Sequence, residues 1–327
     1  MKWAACCAFV CVSVGAAMAE DAPPLRLAQT IPLGNVEGRI DHLSVDVAGQ
    51  RLFVAALGND TVEVVDLKAG ARLRTLRGFA EPQGVAFVAE AKHLFVANGA
   101  AGGLSIVDAK TLDPTGTVRV GKDPDNLRYD AARRRLWVGY GTGALAAVDV
   151  DTGKRIDEVK LAGHPESFQL AGGGTRIFVN VPDAALIAVV DRATLRVVAT
   201  WPTQELRANF PMALDEADRR LFVGFRKPAQ LAVYDTDSGT RVAGVECAGD
   251  LDDVFYDAER KRIYLTGGEG FLDVVAQRDA DHYERVARLP TGPGARTSLW
   301  VAPLRRLYVA VPHRGSQAAA IQVYEAP

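Results

Sequence analysis

The sequence is short of several things, and each shortage excludes a class of protein. Only 4 of its 327 residues are cysteine. Three of them, Cys6, Cys7 and Cys11, fall in the first eleven positions, so Cys247 stands alone in the remainder. That excludes an internal disulfide framework, a Cys-x-x-Cys metal or redox motif and a Cys-x-x-Cys-His haem attachment site. Charge of one sign is also lacking: the formal net charge is −2. No basic field points to nucleic acid or an anionic membrane. After residue 19 no apolar run is long enough to cross a bilayer. No sustained 3.6-residue period marks an amphipathic helix. His-Glu-x-x-His and Gly-x-Ser-x-Gly are absent. The run Gly172-Gly173-Gly174 opens no helix and is a turn, not a phosphate loop. With 48% apolar and 24% charged residues, the chain has the composition of a folded domain rather than a disordered one.

Residues 1–19 have the plan of a secretory leader. Lys2 supplies a positive end, residues 3–18 an apolar run, and Ala17-Met18-Ala19 a small-x-small cleavage site before Glu20-Asp21. Cleavage there would remove Cys6, Cys7 and Cys11 and leave residues 20–327, with no membrane span. The expected location is periplasmic or extracellular. Cys247, beside Val245 and Ala248, reads as a packed thiol rather than a nucleophile.

What the chain does have is a repeat. Seven segments begin with a basic residue and run into apolar ones: Arg51-LFVAA, His93-LFVAN, Arg135-LWVGY, Arg176-IFVNV, Arg220-LFVGF, Arg262-IYLTG and Arg306-LYVAV. They are spaced by 42, 42, 41, 44, 42 and 44 residues. About ten residues after each comes a second apolar run, often ending in aspartate before a turn such as Asp151-Thr152-Gly153 or Asp237-Ser238-Gly239. With a strand before and a strand after, each unit holds four short strands. That is the signature of a blade in a β-propeller. The expectation is an all-β, seven-bladed ring, with blades at about 31–76, 77–118, 119–159, 160–201, 202–245, 246–289 and 290–325. The seventh unit lacks a fourth strand, and residues 25–33 resemble one. They are expected to complete the last blade and leave no open edge at the seam. The basic residues should pair across the turn with Asp46, Asp130, Asp215 and Asp257.

The tetrapeptides FVAN (95–98), YLTG (264–267) and YVAV (308–311) resemble those of YVTN-type propeller repeat proteins, including the exported YncE-like group. The resemblance covers the whole chain after the leader. It implies a seven-bladed ring, often exported, with a binding role. It transfers no catalytic residue, because these motifs pack blades.

A site would lie where the loops before first strands meet those between second and third strands, at one mouth of the channel. The turn-in pairs are Asp41-His42, Gln83-Gly84, Asp125-Asn126, Glu166-Ser167, Phe210-Pro211, Asp252-Asp253 and Thr297-Ser298, with Asn209 and Arg296 just before theirs. Core positions repeat from blade to blade, whereas these carry unlike polar groups, as an asymmetric site requires. The expected ligand-binding residues are Asp41, His42, Asn126, Glu166, Asp253 and Arg296. Asp41 would favour a charged His42, which makes the two the candidates for general base or metal-ligand work. Glu166, Asn126 and Asp253 offer hard oxygens from separate blades, suiting Ca2+ or another divalent cation. Gluconolactonase-like propellers use a comparable set, though no one-to-one match exists here. His164, before Pro165, reads as a surface turn residue.

Two functions follow. The first is a non-enzymatic exported propeller that binds a small molecule or a protein at the channel mouth and needs no cofactor. The second is a divalent-metal-dependent lactone hydrolase. A quinone-dependent dehydrogenase has little support, since the chain after the leader has no adjacent cysteine pair. Nucleic acid is not an expected partner.

Overall fold

In the computed structural model the chain is described at Met1 and over residues 23–327, and the leader with its cleavage site lies outside these residues. Seven four-stranded antiparallel sheets stand around one axis. This is a seven-bladed β-propeller. Blade 1 is Leu43–Asp46, Arg51–Ala56, Thr61–Asp66 and Ala71–Arg77. The same order of four consecutive strands recurs through blade 6. Among the described residues no helix is long and apolar enough to cross a membrane.

The core lies between blades rather than at the centre. The aromatic in each second strand explains why. Phe53, Phe95, Trp137, Phe178, Phe222, Tyr264 and Tyr308 are all at most 1% exposed. Second and third strands bury both faces, because each blade is covered by a neighbour on either side. The outer fourth strands are mostly exposed, as in Ala71–Arg77. The apolar side chains accordingly fall into clusters that each bridge two adjacent blades. Phe53 and Val62 of blade 1 meet Val85 and Leu94 of blade 2. Tyr264 and Leu272 of blade 6 meet Leu307 and Val309 of blade 7. Each fully buried aromatic or aliphatic side chain contributes roughly 1.5–3 kcal/mol, and no blade can collect that alone.

The seam closes as the repeat requires. Arg26–Pro32 pairs antiparallel with Ala320–Glu325, with Arg26 opposite Glu325 and Ile31 opposite Ile321. Leu25, Ile31 and Leu33 are buried there. The aspartates that end third strands build their turns: Asp66 Oδ1 accepts from the backbone amides of Lys68 and Ala69, 2.8 Å each. Asp191, at the same place in its own blade, is lowered to about 2, by the Thr175 hydroxyl first and then by the Thr194 amide.

The basic residues behave differently from expectation. Arg51 does pair with Asp46, at 2.6 Å. Asp130 instead pairs with Arg133 and Arg192, Asp257 with Arg260, and Asp215 accepts from Gln277. The physical reason is reach. Three of the guanidiniums that start second strands extend past their own turn to the next blade, while Arg135 turns to Asp157 and Arg306 to Glu325 of their own blades. Arg51 donates to the Ala109 carbonyl, Arg176 to Thr236 and Arg220 to Ala280. These arginines bolt neighbouring blades together.

Two outcomes check this packing. A chain that starts at residue 34 loses three buried anchors and exposes the edge of Ala320–Glu325. It should lose on the order of 5 kcal/mol and melt about 10 °C lower, with concentration-dependent association by light scattering. An unchanged melt would contradict closure by this strand. Burial pushes the Cys247 thiol up to about 12. The peptide containing Cys247 should therefore resist alkylation at pH 8 in native protein and label fully in denaturant; fast native labelling would contradict the packing.

Candidate functional site at the channel mouth

Before each first strand the chain pairs with the far end of its own second strand. The Asp41 amide donates to Ala55 O, the Asp125 amide to Gly139 O and the Glu166 amide to Asn180 O. Returning bonds run from Ala55 N to His42 O, Gly139 N to Asn126 O, Asn180 N to Ser167 O and Ala310 N to Thr297 O. The pattern sets the register of the turn-in pairs. In blade 7 the pair is Arg296-Thr297, one residue earlier than Thr297-Ser298. Aligned this way, the first positions of the seven blades are Asp41, Gln83, Asp125, Glu166, Phe210, Asp252 and Arg296. All seven line one cavity of about 210 Å³.

Of the second positions, His42, Asn126 and Ser167 border the same cavity, whereas Gly84 and Asp253 turn to its far side. His42 borders this cavity and also a more apolar one of about 340 Å³ on its other side. Asp253 borders only the second, among Leu43, Phe87 and Phe255. Its Oδ2 accepts from the Ser298 amide at 2.8 Å. Asn126, Glu166 and Arg296 thus share the mouth with Asp41 and His42, while Asp253 stands below the imidazole. Glycine makes the closeness of blades 2 and 3 workable: a Cβ on Gly84 would lie 1.9 Å from the Asp125 carbonyl oxygen.

His42 is the centre of the arrangement. Its Nε2 is 3.5 Å from Asp125 Oδ1 and 3.7 Å from Asp41 Oδ1, and its Nδ1 is 3.9 Å from Asp253 Oδ1. Burial opposes a charge on the ring, but Asp125, Asp41 and Asp253 together outweigh it and push it up to about 10. In this state His42 is an imidazolium at neutral pH and holds no lone pair for general-base work. Burial pushes Asp41 up to about 6, against His42 and Arg39. Burial raises Asp253 to about 7. It also raises Glu166 to about 8, reinforced by Asp125 and Asp252. Asp125 is held low despite burial, because His42 faces it.

Two buried oxygens here have no hydrogen-bond partner among the described residues: Asp125 Oδ1 and Asn126 Oδ1. Arg39 Nη2 stands 2.8 Å from Asp41 Oδ2 as an ion pair. Asn126 Nδ2 donates to Asp125 Oδ2 at 3.3 Å. The opposite rim is basic and fixed. Arg226 lies 3.8 Å over the Phe210 ring and donates to Leu251 O and Asp252 Oδ1, 2.7 Å each. Arg296 donates to Asp250 at 3.0 Å.

The sequence pointed to some of these groups and passed over others. His164, read as a surface turn, borders the cavity, with Nδ1 2.6 Å from Gly141 O. Arg39 was missed, since it precedes its pair in an irregular loop. Asp125 sat in a recognised pair, and its equivalence to Asp41 was the signal that could have singled it out. Of the residues expected in loops between second and third strands, Arg226 reaches the cavity, from within the strand Arg220–Lys227. Asn59 instead accepts from the Glu37 amide, and Glu269 from the Gly249 amide.

No protein-family model matches the chain, and no curated protein matches it in sequence. Solved structures do match in shape. One is a chain of hydrazine synthase from Kuenenia stuttgartiensis, with TM-score 0.76 and 16% identity, covering 88% of this chain and 97% of that one. Another is a chain of a mitotic checkpoint complex, with TM-score 0.74 and 15% identity, covering 97% of this chain and 98% of that one. At such identities the likeness shows the propeller fold alone, a fold shared by proteins of unrelated activity.

The raised Glu166 carboxyl makes a stability prediction with a definite sign. The folded state holds this proton more tightly than the unfolded chain. Its contribution is fully present below about 4.5 and is lost as pH rises through about 8. Asp125, Asp252, Arg226 and His42 are the charges that act on it. Between pH 5 and 9 in metal-free buffer, the native melt should fall relative to that of Glu166→Gln by roughly 3–6 °C. Parallel curves would contradict this environment for Glu166.

Proposed function

We propose that this protein is an exported propeller of the YVTN, YncE-like type that binds a small polar ligand at the channel mouth. One observation carries the reading: seven equivalent backbone positions bear unlike side chains, and all seven face one cavity. A structural turn has no need of that variety. Oxygens without partners cost free energy when buried, and a ligand that donates to them recovers it. The cavity of about 210 Å³ has room for about seven waters, so the ligand is a small solute rather than a peptide. Carboxylates and the guanidiniums of Arg39, Arg226 and Arg296 around one cavity suit a solute carrying both donors and acceptors. Export rests on the leader-like residues 1–19.

The second reading is a divalent-metal-dependent lactone hydrolase. It draws on the cluster of Asp41, His42 and Asp125, whose ligand atoms lie within 4.8 Å of one another. Binding is favoured because the variety of the seven turn-in positions calls only for a ligand, whereas hydrolysis also needs a base free to take a proton, and His42 is enclosed by Asp41, Asp125 and Asp253.

A thermal-shift panel tests the proposal, using three- to six-carbon hydroxy acids, lactones, amino acids and sugars, together with native mass spectrometry of gently purified protein. At least one solute should raise the native melt by about 2 °C or more. The same solute should act at least tenfold more weakly on Asn126→Leu and Glu166→Gln. No stabilising solute and no co-purified mass would contradict it. Turnover of a lactone by the native protein, lost in His42→Gln, would favour the hydrolase.

A further inference from the structure

We infer that Asp41, His42 and Asp125 form a binding site for one divalent first-row transition ion, of the Zn2+ or Mn2+ kind, at the floor of the channel mouth. The inference deepens the ligand-binding reading of the same mouth and rests on it for the purpose of the ion.

The spacing of the donors is the first argument. His42 Nε2 lies 3.5 Å from Asp125 Oδ1 and 3.7 Å from Asp41 Oδ1. Those separations are long for hydrogen bonds. They match two donors held about 2.1 Å from a shared ion, which stand roughly 3.4 Å apart at a tetrahedral angle. The third separation falls within the 4.8 Å that encloses the cluster, so the two aspartates need close by no more than about 1.4 Å to hold a tetrahedral ion.

Burial and partnering are the second argument, and they are independent of the cluster. Asn126 is 2% exposed, lines the same cavity, and its Oδ1 accepts no hydrogen bond. Its Nδ2 holds Asp125 Oδ2, which leaves Asp125 Oδ1 turned to His42 and without a hydrogen-bond partner. Asp41 is 1% exposed, and Arg39 occupies its Oδ2, leaving Oδ1 for the ion. A buried side chain with an idle oxygen beside two buried carboxylates is the arrangement of a cation site.

The back of the ring supplies a third argument. His42 Nδ1 faces Asp253 Oδ1 at 3.9 Å, an ion-pair distance that a shift of about 1 Å would turn into a hydrogen bond, and Asp253 is itself fixed by the Ser298 amide. A carboxylate behind a ligating imidazole orients the ring and raises its basicity. Ion binding places the metal where the imidazolium proton stands between the two aspartates, and that proton leaves to solvent. The mixed nitrogen and oxygen donor set favours Zn2+, Mn2+ or Fe2+ over Ca2+ or Mg2+, which prefer oxygen alone. The sequence expectation of a calcium-like set from Glu166, Asn126 and Asp253 differs on this point, because Asp253 faces the other chamber.

The test uses tag-free protein stripped with chelator and titrated calorimetrically with Zn2+, Mn2+ and Ca2+. Zn2+ or Mn2+ should bind at one equivalent and at least 100-fold tighter than Ca2+. His42→Gln and Asp125→Asn should each weaken binding at least 30-fold, and Asp253→Asn about tenfold. His282→Gln, which removes an exposed imidazole bonded to Asp279, should change nothing. Because the buried variants could misfold, the native protein is also titrated with Co2+. One equivalent should develop visible d–d bands of nitrogen and oxygen ligation without thiolate charge transfer. No one-to-one uptake, equal affinity for Ca2+, or undiminished binding in both His42→Gln and Asp125→Asn would overturn the inference. Solute binding without metal uptake overturns this inference and leaves the proposed function standing. Metal uptake without any solute does the reverse.

Discussion

Everything in this molecule depends on blades packing against blades. A single four-stranded sheet of about 42 residues has two apolar faces and no core of its own. Only a neighbour on each side covers the aromatics of its second strand, such as Trp137 and Phe222. Seven such junctions close a ring, and the seventh junction exists because Arg26–Pro32 returns to the last blade. The arginines that reach from one second strand to the turn of the next blade add directional bonds to that apolar contact. A stable ring therefore follows from a repeat that is locally unstable.

Ring closure also explains why a polar site can exist inside so apolar a chain. Each blade delivers one turn-in residue to the axis, at a backbone position fixed by hydrogen bonds to its own second strand. The scaffold asks for nothing at that position except fit. Chemistry can therefore vary there without cost to the fold, and it does: three aspartates, a glutamate, a glutamine, a phenylalanine and an arginine share one cavity. Burial raises Asp41 and Glu166 at this mouth, and Asp253 behind the imidazole, above the ordinary carboxylate range. His42 answers that field by holding a proton, and a metal ion would answer it more completely.

Much of this was legible in the sequence because the repeat carries it. The blade count, the buried aromatics and the closing strand follow from a 42-residue period and a missing fourth strand. The mouth was legible at Asp41, His42, Asn126, Glu166 and Arg296, since unlike residues broke an otherwise regular pattern. The rest was not, for physical reasons. Asp253 follows Asp252 on an extended strand, so the two face different chambers, and spacing does not say which residue faces which. The pair in blade 7 slid by one residue because no turn motif anchors it. Arg39 approaches from an irregular loop, and the long reach of Arg51 and Arg220 hides their partners in the next blade. The importance of Asp125 appears only when its register is matched to that of Asp41.

The most direct measurement is an anomalous difference map at the zinc absorption edge, from crystals of protein supplied with one equivalent of Zn2+. The account predicts a single strong peak about 2.1 Å from His42 Nε2 and from one oxygen each of Asp41 and Asp125, with Asp253 behind the ring. A map without a peak at the mouth, with His42 still ion-paired between the two aspartates, would contradict it.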